Sequence, residues 1–162
     1  MRQFKNGGLT IIELVVVIVV LGLAIPPLLT SWANIGWRSA RSEALADATF
    51  YAQQLLEEIK SKRFDENTSS PWSSSLGPES GENSNNKDSF DDVDDFLGCA
   101  DTRVTTPATS YNRFAAVGYV SLSGTTWQDS GSVTNFKRIT VTVSRADGLA
   151  KDVNLVTIVA AY

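Results

Sequence analysis

The chain has 162 residues, of which 43% are hydrophobic and 20% are charged, and its formal net charge is -4 at pH 7. This length fits one small domain plus an anchor. The negative charge argues against general nucleic-acid binding, which needs clustered Lys and Arg. The sequence has no histidine and a single cysteine, Cys99, so His-based catalysis and an intrachain disulfide are excluded. We expect no enzyme and no catalytic residues, and we interpret Cys99 as a small apolar residue.

A short basic leader and a long apolar stretch open the chain. Residues 1–8 contain Arg2 and Lys5, are too short to fold, and read as a leader peptide. Residues 9–31 are predicted to form the transmembrane half of a helix, because residues 9–29 would span roughly 31 Å, enough to cross a ~30 Å hydrocarbon core. Since the basic residues hold the N-terminus in the cytoplasm, the rest of the chain is expected across the membrane.

Glu13 and a pair of prolines interrupt the apolar pattern. A carboxylate at mid-bilayer costs on the order of 2.5 to 3.5 kcal/mol and is usually retained for a function with a partner charge. The alternative is that Glu13 lies at headgroup depth, where its negative charge interacts favourably with the positive end of the helix dipole. Because an interior proline removes a backbone hydrogen bond, Pro26 and Pro27 predict a kink or a short non-helical break. Gly22 permits close approach of another helix.

Gly8, followed by Leu-Thr-Ile-Ile-Glu13 and an apolar run, resembles the class III signal sequence of type IV prepilins and type II secretion pseudopilins. The resemblance implies that prepilin peptidase cuts between Gly8 and Leu9 and that Leu9 becomes N-methylated. It also implies an assembly salt bridge between Glu13 and the terminal amine of a neighbouring subunit. In this family a glycine and a proline mark where the helix loosens, which assigns the predicted kink to Gly22, Pro26 and Pro27.

Residues 32–66 are predicted to be the amphipathic half of the same helix, which would end at about Lys62. Trp32 and Trp37 suit the membrane interface. Beyond them, apolar residues recur at spacings of three and four and form one stripe. We expect this stripe to pack against the protein's own sheet, since a coiled coil needs three or four heptads. The stripe consists of Leu45, Ala48, Ala52, Leu55 and Ile59.

Residues 67–112 contain a Ser/Asn-rich loop and an acidic turn (residues 88–98). The loop cannot bury a core and is either functional or disordered. In the turn, Phe90, Val93 and Phe96 predict one turn of α- or 3₁₀-helix anchored on the core, with its carboxylates in solvent. The alternative is a calcium site, because this ion requires clustered hard oxygens, although the spacing fails the EF-hand template. Its candidate ligands are Asp91, Asp92, Asp94 and Asp95; no other cofactor is expected.

The segment from Lys62 to Asn67, followed after a variable loop by the segment from Phe90 to Phe96, resembles minor pilins of mannose-sensitive haemagglutinin (MSHA) pili. This resemblance covers roughly the first 98 residues. It implies three partners: prepilin peptidase, the other major and minor pilins of the filament, and the inner membrane. Before assembly the subunit would be a single-pass inner-membrane protein with a periplasmic C-terminal domain, and afterwards part of a fimbrium at the cell surface. The alternatives are a minor pseudopilin of a type II secretion system or DNA-uptake pilus, and an envelope-anchored adhesive module.

Residues 113–162 are predicted to form a small antiparallel sheet that packs on the amphipathic helix. The fold class is therefore α+β and pilin-like. Ile139, Val141 and Val143 alternate with polar residues, which is the period of a half-buried strand. A turn at residues 147–148 predicts a hairpin. The three predicted strands are 114–122, 136–144 and 151–160, and Gly118 and the stretch 124–131 are expected to break up the remainder.

Overall fold

The computed structural model describes residues 10–83, 86–99 and 110–161. In these residues the chain forms one long helix, two short 3₁₀ turns and four strands, and by its internal contacts it divides into two units, Met1–Ala40 and Arg41–Tyr162. The predicted α+β class, a long N-terminal helix with a small antiparallel sheet, is confirmed. The elements are α1 (Ile11–Lys60), the 3₁₀ turns Lys87–Ser89 and Asp94–Phe96, and the strands β1 (Tyr111–Ser123), β2 (Thr126–Asp129), β3 (Phe136–Arg145) and β4 (Val153–Ala160).

The first unit contains the apolar half of α1 (residues 11–40). Its first turn is capped by Thr10, whose hydroxyl oxygen accepts from the amide of Glu13 at 3.4 Å. Every large apolar side chain from Ile11 to Trp37 is exposed, with exposed fractions between 44% and 83%. The helix is long and apolar enough to cross a membrane, and its most apolar stretch has no buried residue. These side chains are therefore available to lipid or to other helices.

Helix α1 continues through Pro26 and Pro27 without a non-helical residue. The predicted break therefore does not occur, whereas a kink within the continuous helix stays a prediction. The amides that the prolines lack would have bonded the carbonyls of Gly22 and Leu23, so the loss is confined to one turn. Just beyond, the hydroxyl of Thr30 donates to the carbonyl of Pro27 at 3.0 Å.

In the second unit, the last five turns of α1 pack on the sheet, as the apolar stripe predicts. Four of the five stripe residues are buried. The prediction for Leu45 was wrong, because Leu45 is 45% exposed and Ala44 is fully buried instead. The phenol of Tyr111 donates to the carbonyl of Ala44 at 3.2 Å, so the sheet lies close to the helix at this small residue. The helix residues that face the core are Ala44, Ala48, Ala52, Leu55 and Ile59.

The sheet is antiparallel with the order β2-β1-β3-β4. The predicted alternation in β3 is confirmed, because Ile139, Val141 and Val143 are fully buried in the core. Strands β3 and β4 are antiparallel neighbours, so the predicted hairpin is also confirmed. Its turn uses Gly148 at φ +66°, a left-handed conformation that glycine adopts without steric cost.

Two predictions about the glycines were wrong. Strand β1 runs through Gly118 without interruption, and the stretch 124–131 contains β2. Gly124, at φ +63°, lies in the tight turn between the paired residues Ser123 and Thr126. This glycine therefore joins two strands, and the break predicted from composition is instead the turn of a hairpin.

Candidate functional site

The first predicted site is the N-terminal end of α1. Gly8 and Leu9 lie outside the described residues, so the cleavage and methylation sites stay predictions. Glu13 lies in the first turn of α1 and is exposed. No ion pair to Glu13 occurs within residues 10–83, 86–99 and 110–161. The predicted salt bridge of Glu13 with a neighbouring subunit therefore stays a prediction.

The two motifs singled out in the sequence are in contact in the second unit. After α1 ends, the chain runs beside the acidic turn, where Lys62 Nζ donates to the carbonyl of Phe90 at 2.6 Å. The amide of Val93 donates to the carbonyl of Arg63 at 2.9 Å, and the Arg63 guanidinium pairs with Asp91. The helix end and the acidic turn thus form one local structure.

The acidic turn is anchored on the core as predicted. Phe90, Val93 and Phe96 are at most 2% exposed, and the turn contains the 3₁₀ helix Asp94–Phe96. The rings of Phe90 and Phe96 meet edge to face with centroids 5.0 Å apart. The apolar spacing of three therefore predicted both the conformation and the buried face of this segment.

The predicted exposure of the turn's carboxylates was wrong. Asp92, Asp94 and Asp95 are fully buried, and only Asp91 among the candidate calcium ligands is exposed. Burial follows from backbone capping: Asp92 Oδ1 accepts from the amides of Asp94 and Asp95, at 2.8 and 3.3 Å. Asp95 Oδ2 accepts from the amides of Asp91 and Asp92, both at 2.9 Å. Aspartate side chains that satisfy turn amides are held inward.

Lys137 on β3 is a buried cation that sequence reasoning missed. Its three N–H groups have three acceptors: the carbonyl of Phe64 at 2.7 Å, Asp65 Oδ2 at 3.0 Å, and Asp94 Oδ1. The ammonium also lies 4.5 Å from the centroid of the Phe64 ring. The alternation of β3 contained the necessary information, because Lys137 is in phase with the buried Ile139.

Asp65 connects Lys137 to the Ser/Asn-rich loop. Its carboxylate accepts from the amides of Asn67 and Ser73 at distances between 3.1 and 3.2 Å, and from the phenol of Tyr119 at 3.3 Å. Burial raises the pKa of Asp65, but the hydrogen bonds from Lys137, Asn67 and Ser73 outweigh burial and hold the pKa below its usual value. Asp65 is therefore a carboxylate that balances Lys137.

The Ser/Asn-rich loop, up to residue 83, is fixed to the rest of the unit by Trp72. The indole Nε1 donates to Asn135 at 2.9 Å, and the ring packs edge to face on Phe64 with centroids 5.2 Å apart. Farther along, the loop brings Glu79 to the buried end of the acidic turn. A loop that was predicted to be either functional or disordered thus contributes a half-buried carboxylate beside the acidic turn.

Four carboxylates from three segments meet beside Lys137. One oxygen from each lies within 4.8 Å of the others. Burial and the neighbouring Asp94 and Asp95 raise the pKa of Asp92 to about 8. Burial, together with the charges of Asp95 and Glu66, raises the pKa of Glu79 to about 8. We call this group the acidic cluster: Glu66, Glu79, Asp92 and Asp94.

The acidic cluster shares only part of the predicted calcium ligand set. Asp91, Asp92 and Asp95 lie together in a separate group of carboxylates, whereas Asp94 is grouped with Asp92 and the two glutamates. The glutamates could not be found from local spacing, because they are 13 and 26 residues from Asp92 in the chain. Comparison with protein-family models, with curated proteins and with solved structures finds no match for this chain.

Proposed function

We propose that this chain is a minor type IV pilin of the MSHA type, in the MshD branch, and a structural subunit in pilus assembly or priming. One observation carries the proposal: every large apolar side chain from Ile11 to Trp37 is exposed, and Glu13 is the only charged residue from Thr10 to Trp37. The prepilin-type motif at residues 8–13 supports the proposal. So does the packing of the last turns of α1 on a small antiparallel sheet, which the family resemblance implies.

The exposed helix explains why such a subunit would need two environments. A contiguous apolar surface of this size requires lipid or a protein partner. We propose that the inner membrane covers it before assembly, and that the helices of other major and minor pilins cover it in the filament. Trp32 and Trp37 are 79% and 69% exposed. Before assembly they would suit the periplasmic interface of the inner membrane.

Glu13 would give this assembly its axial register. After prepilin peptidase opens the bond between Gly8 and Leu9, a neighbouring subunit presents a terminal amine in the apolar filament core. A carboxylate and an ammonium that are both removed from water are each costly unless they pair. Only the register that brings the amine to Glu13 satisfies both groups, so the pairing selects that register.

The test is the incorporation of Glu13→Gln into pili in the native host, with Glu43→Gln as the control. Glu43 lies on the same helix beyond the apolar half and is exposed. We expect Glu13→Gln to reach the membrane at the normal level but to fall at least about tenfold in sheared pili, because a neighbour's amine loses its partner. Mass spectrometry of the mature protein should place its N-terminus at Leu9.

Two outcomes would contradict the proposal. Incorporation of Glu13→Gln at the level of Glu43→Gln would reject the pairing. An intact leader on assembled subunits would reject the processing on which the pairing depends. Because a type II secretion pseudopilin or a DNA-uptake pilin would share the N-terminal motif, recovery from secretion-dependent fibres and not from MSHA pili would move the chain to one of those systems.

A further inference from the structure

We propose that the acidic cluster of Glu66, Glu79, Asp92 and Asp94 binds one Ca²⁺ ion. Each of these side chains offers one oxygen, and the four oxygens all lie within 4.8 Å of one another. Two oxygens that each coordinate the same Ca²⁺ at about 2.4 Å can be no more than about 4.8 Å apart. The spacing of the four carboxylates therefore meets this condition for one shared ion.

Unpartnered oxygens give the second and independent reason. In the described residues, three of the four carboxylates have a buried oxygen without a hydrogen-bond donor: Glu66 Oε2, Asp92 Oδ2 and Asp94 Oδ2. Asp92 and Asp94 are themselves fully buried. Buried polar atoms almost always have a partner, and a charged one without a partner is costly. These oxygens require a proton, a water donor or a cation.

The other oxygen of each of these three carboxylates is already held. Asp92 Oδ1 accepts from the amides of the 3₁₀ turn, Asp94 Oδ1 accepts from Lys137, and Glu66 Oε1 accepts from the hydroxyl of Ser73. A carboxylate fixed through one oxygen presents the other in a defined direction. This arrangement is what outer-shell hydrogen bonds provide at metal sites, where they orient the ligands before the ion binds.

The local charge favours a divalent cation. Asp65 and Asp95 lie next to the acidic cluster, and Lys137 is the ammonium buried beside it. All three N–H groups of Lys137 are engaged by Phe64, Asp65 and Asp94, so the lysine cannot also serve the open oxygens.

The ligand type selects Ca²⁺ among common ions. Every donor is a hard carboxylate oxygen, and the sequence has no histidine for a softer metal. Mg²⁺ keeps several waters and usually takes one or two carboxylates, whereas Ca²⁺ accepts many oxygens in flexible geometry. Bound here, the ion would join the segment after α1, the Ser/Asn-rich loop and the acidic turn.

The experiment uses the full chain in detergent micelles, stripped with EGTA and titrated with CaCl₂ by calorimetry and by thermal unfolding. We expect one Ca²⁺ per chain with a Kd below about 1 mM and a rise in Tm as the ion binds the folded state. The test variants are Asp92→Asn and Glu79→Gln. Asp92→Asn keeps the capping oxygen and replaces only the open one by an amide.

Each variant should weaken Ca²⁺ binding at least about tenfold, with its circular dichroism in EGTA unchanged. Asp152→Asn, at an exposed position outside the acidic cluster, should bind as the wild type does. Three results would overturn the proposal. They are the absence of both heat and a Tm shift at a Ca²⁺ concentration 10-fold above the upper limit of the expected Kd, Ca²⁺ binding by Asp92→Asn and Glu79→Gln that equals the wild type's, and tighter binding of Mg²⁺ than of Ca²⁺. The inference rests on the second unit alone and does not depend on the proposed function.

Discussion

The two units of this protein place charged and apolar groups in opposite ways. The apolar half of α1 leaves its large hydrophobic side chains exposed and has a single carboxylate, at Glu13. The second unit buries Lys137 completely and surrounds it with buried aspartates. The carboxylate of the first unit has no ion pair within the described residues, whereas the buried Lys137 of the second unit is paired with Asp65 and Asp94. The two units therefore differ in where charges and apolar side chains can find partners: the first unit leaves them exposed, and the second buries them together.

The largest expected effect comes from removing the buried cation. Lys137→Met should lower the free energy of unfolding by about 3–5 kcal/mol, because Asp65 and Asp94 would remain buried without their partner. Chemical denaturation of the full chain in micelles, in EGTA so that no divalent ion contributes, measures this change. The control is Lys151→Met, at an exposed position.

If Lys137→Met and Lys151→Met lowered the free energy of unfolding equally, the buried ion pairs of Lys137 would not stabilise the second unit. A triple variant sharpens the comparison: adding Asp65→Asn and Asp94→Asn to Lys137→Met removes the stranded charges. It should recover part of the lost free energy, since the penalty comes mainly from unpaired carboxylates and not from the absence of the lysine.

The second prediction concerns the two faces of α1 in the second unit. Ile59→Ala should lower the free energy of unfolding by about 2–5 kcal/mol, because Ile59 is fully buried in the core and its truncation leaves a cavity. Leu45→Ala should change it by less than about 0.5 kcal/mol, because Leu45 is 45% exposed. The same denaturation experiment measures both, and equal effects would place Leu45 in the core.

Periodicity predicted most of the fold, because the packed faces of α1 and β3 follow regular spacings. Helix α1 ends two residues before the predicted Lys62, and the alternation of Ile139, Val141 and Val143 matches the buried face of β3. Hydrophobicity could not predict that Ala44 is buried in the core and Leu45 is not, since this depends on how closely Tyr111 approaches the helix. Short range patterns define the elements, whereas the exact contact face depends on tertiary packing.

The environment of the acidic turn was less predictable than the fold. Composition indicates that clustered aspartates are solvated, but of the four candidate calcium ligands in this turn only Asp91 is exposed. The other three are buried because turn amides and Lys137 satisfy them, and these contacts depend on the approach of β3 to the acidic turn. The inward phase of Lys137 with Ile139 was a sequence feature that indicated a buried counter-charge.

The smallest expected effect comes from an ion pair of nearly the same length at the surface. Lys60 Nζ lies 2.9 Å from Glu57 Oε1, against 3.0 Å for Lys137 and Asp65, but the Lys60 and Glu57 side chains are 38% and 68% exposed. Glu57→Gln should lower the free energy of unfolding by at most about 0.5 kcal/mol, and 1 M salt should remove even this difference, because water and ions already screen the pair. Both measurements use the denaturation of the full chain in EGTA. If Glu57→Gln cost as much as Lys137→Met, burial would not be what makes the interior pair strong, and the contrast between the two units would rest on apolar exposure alone.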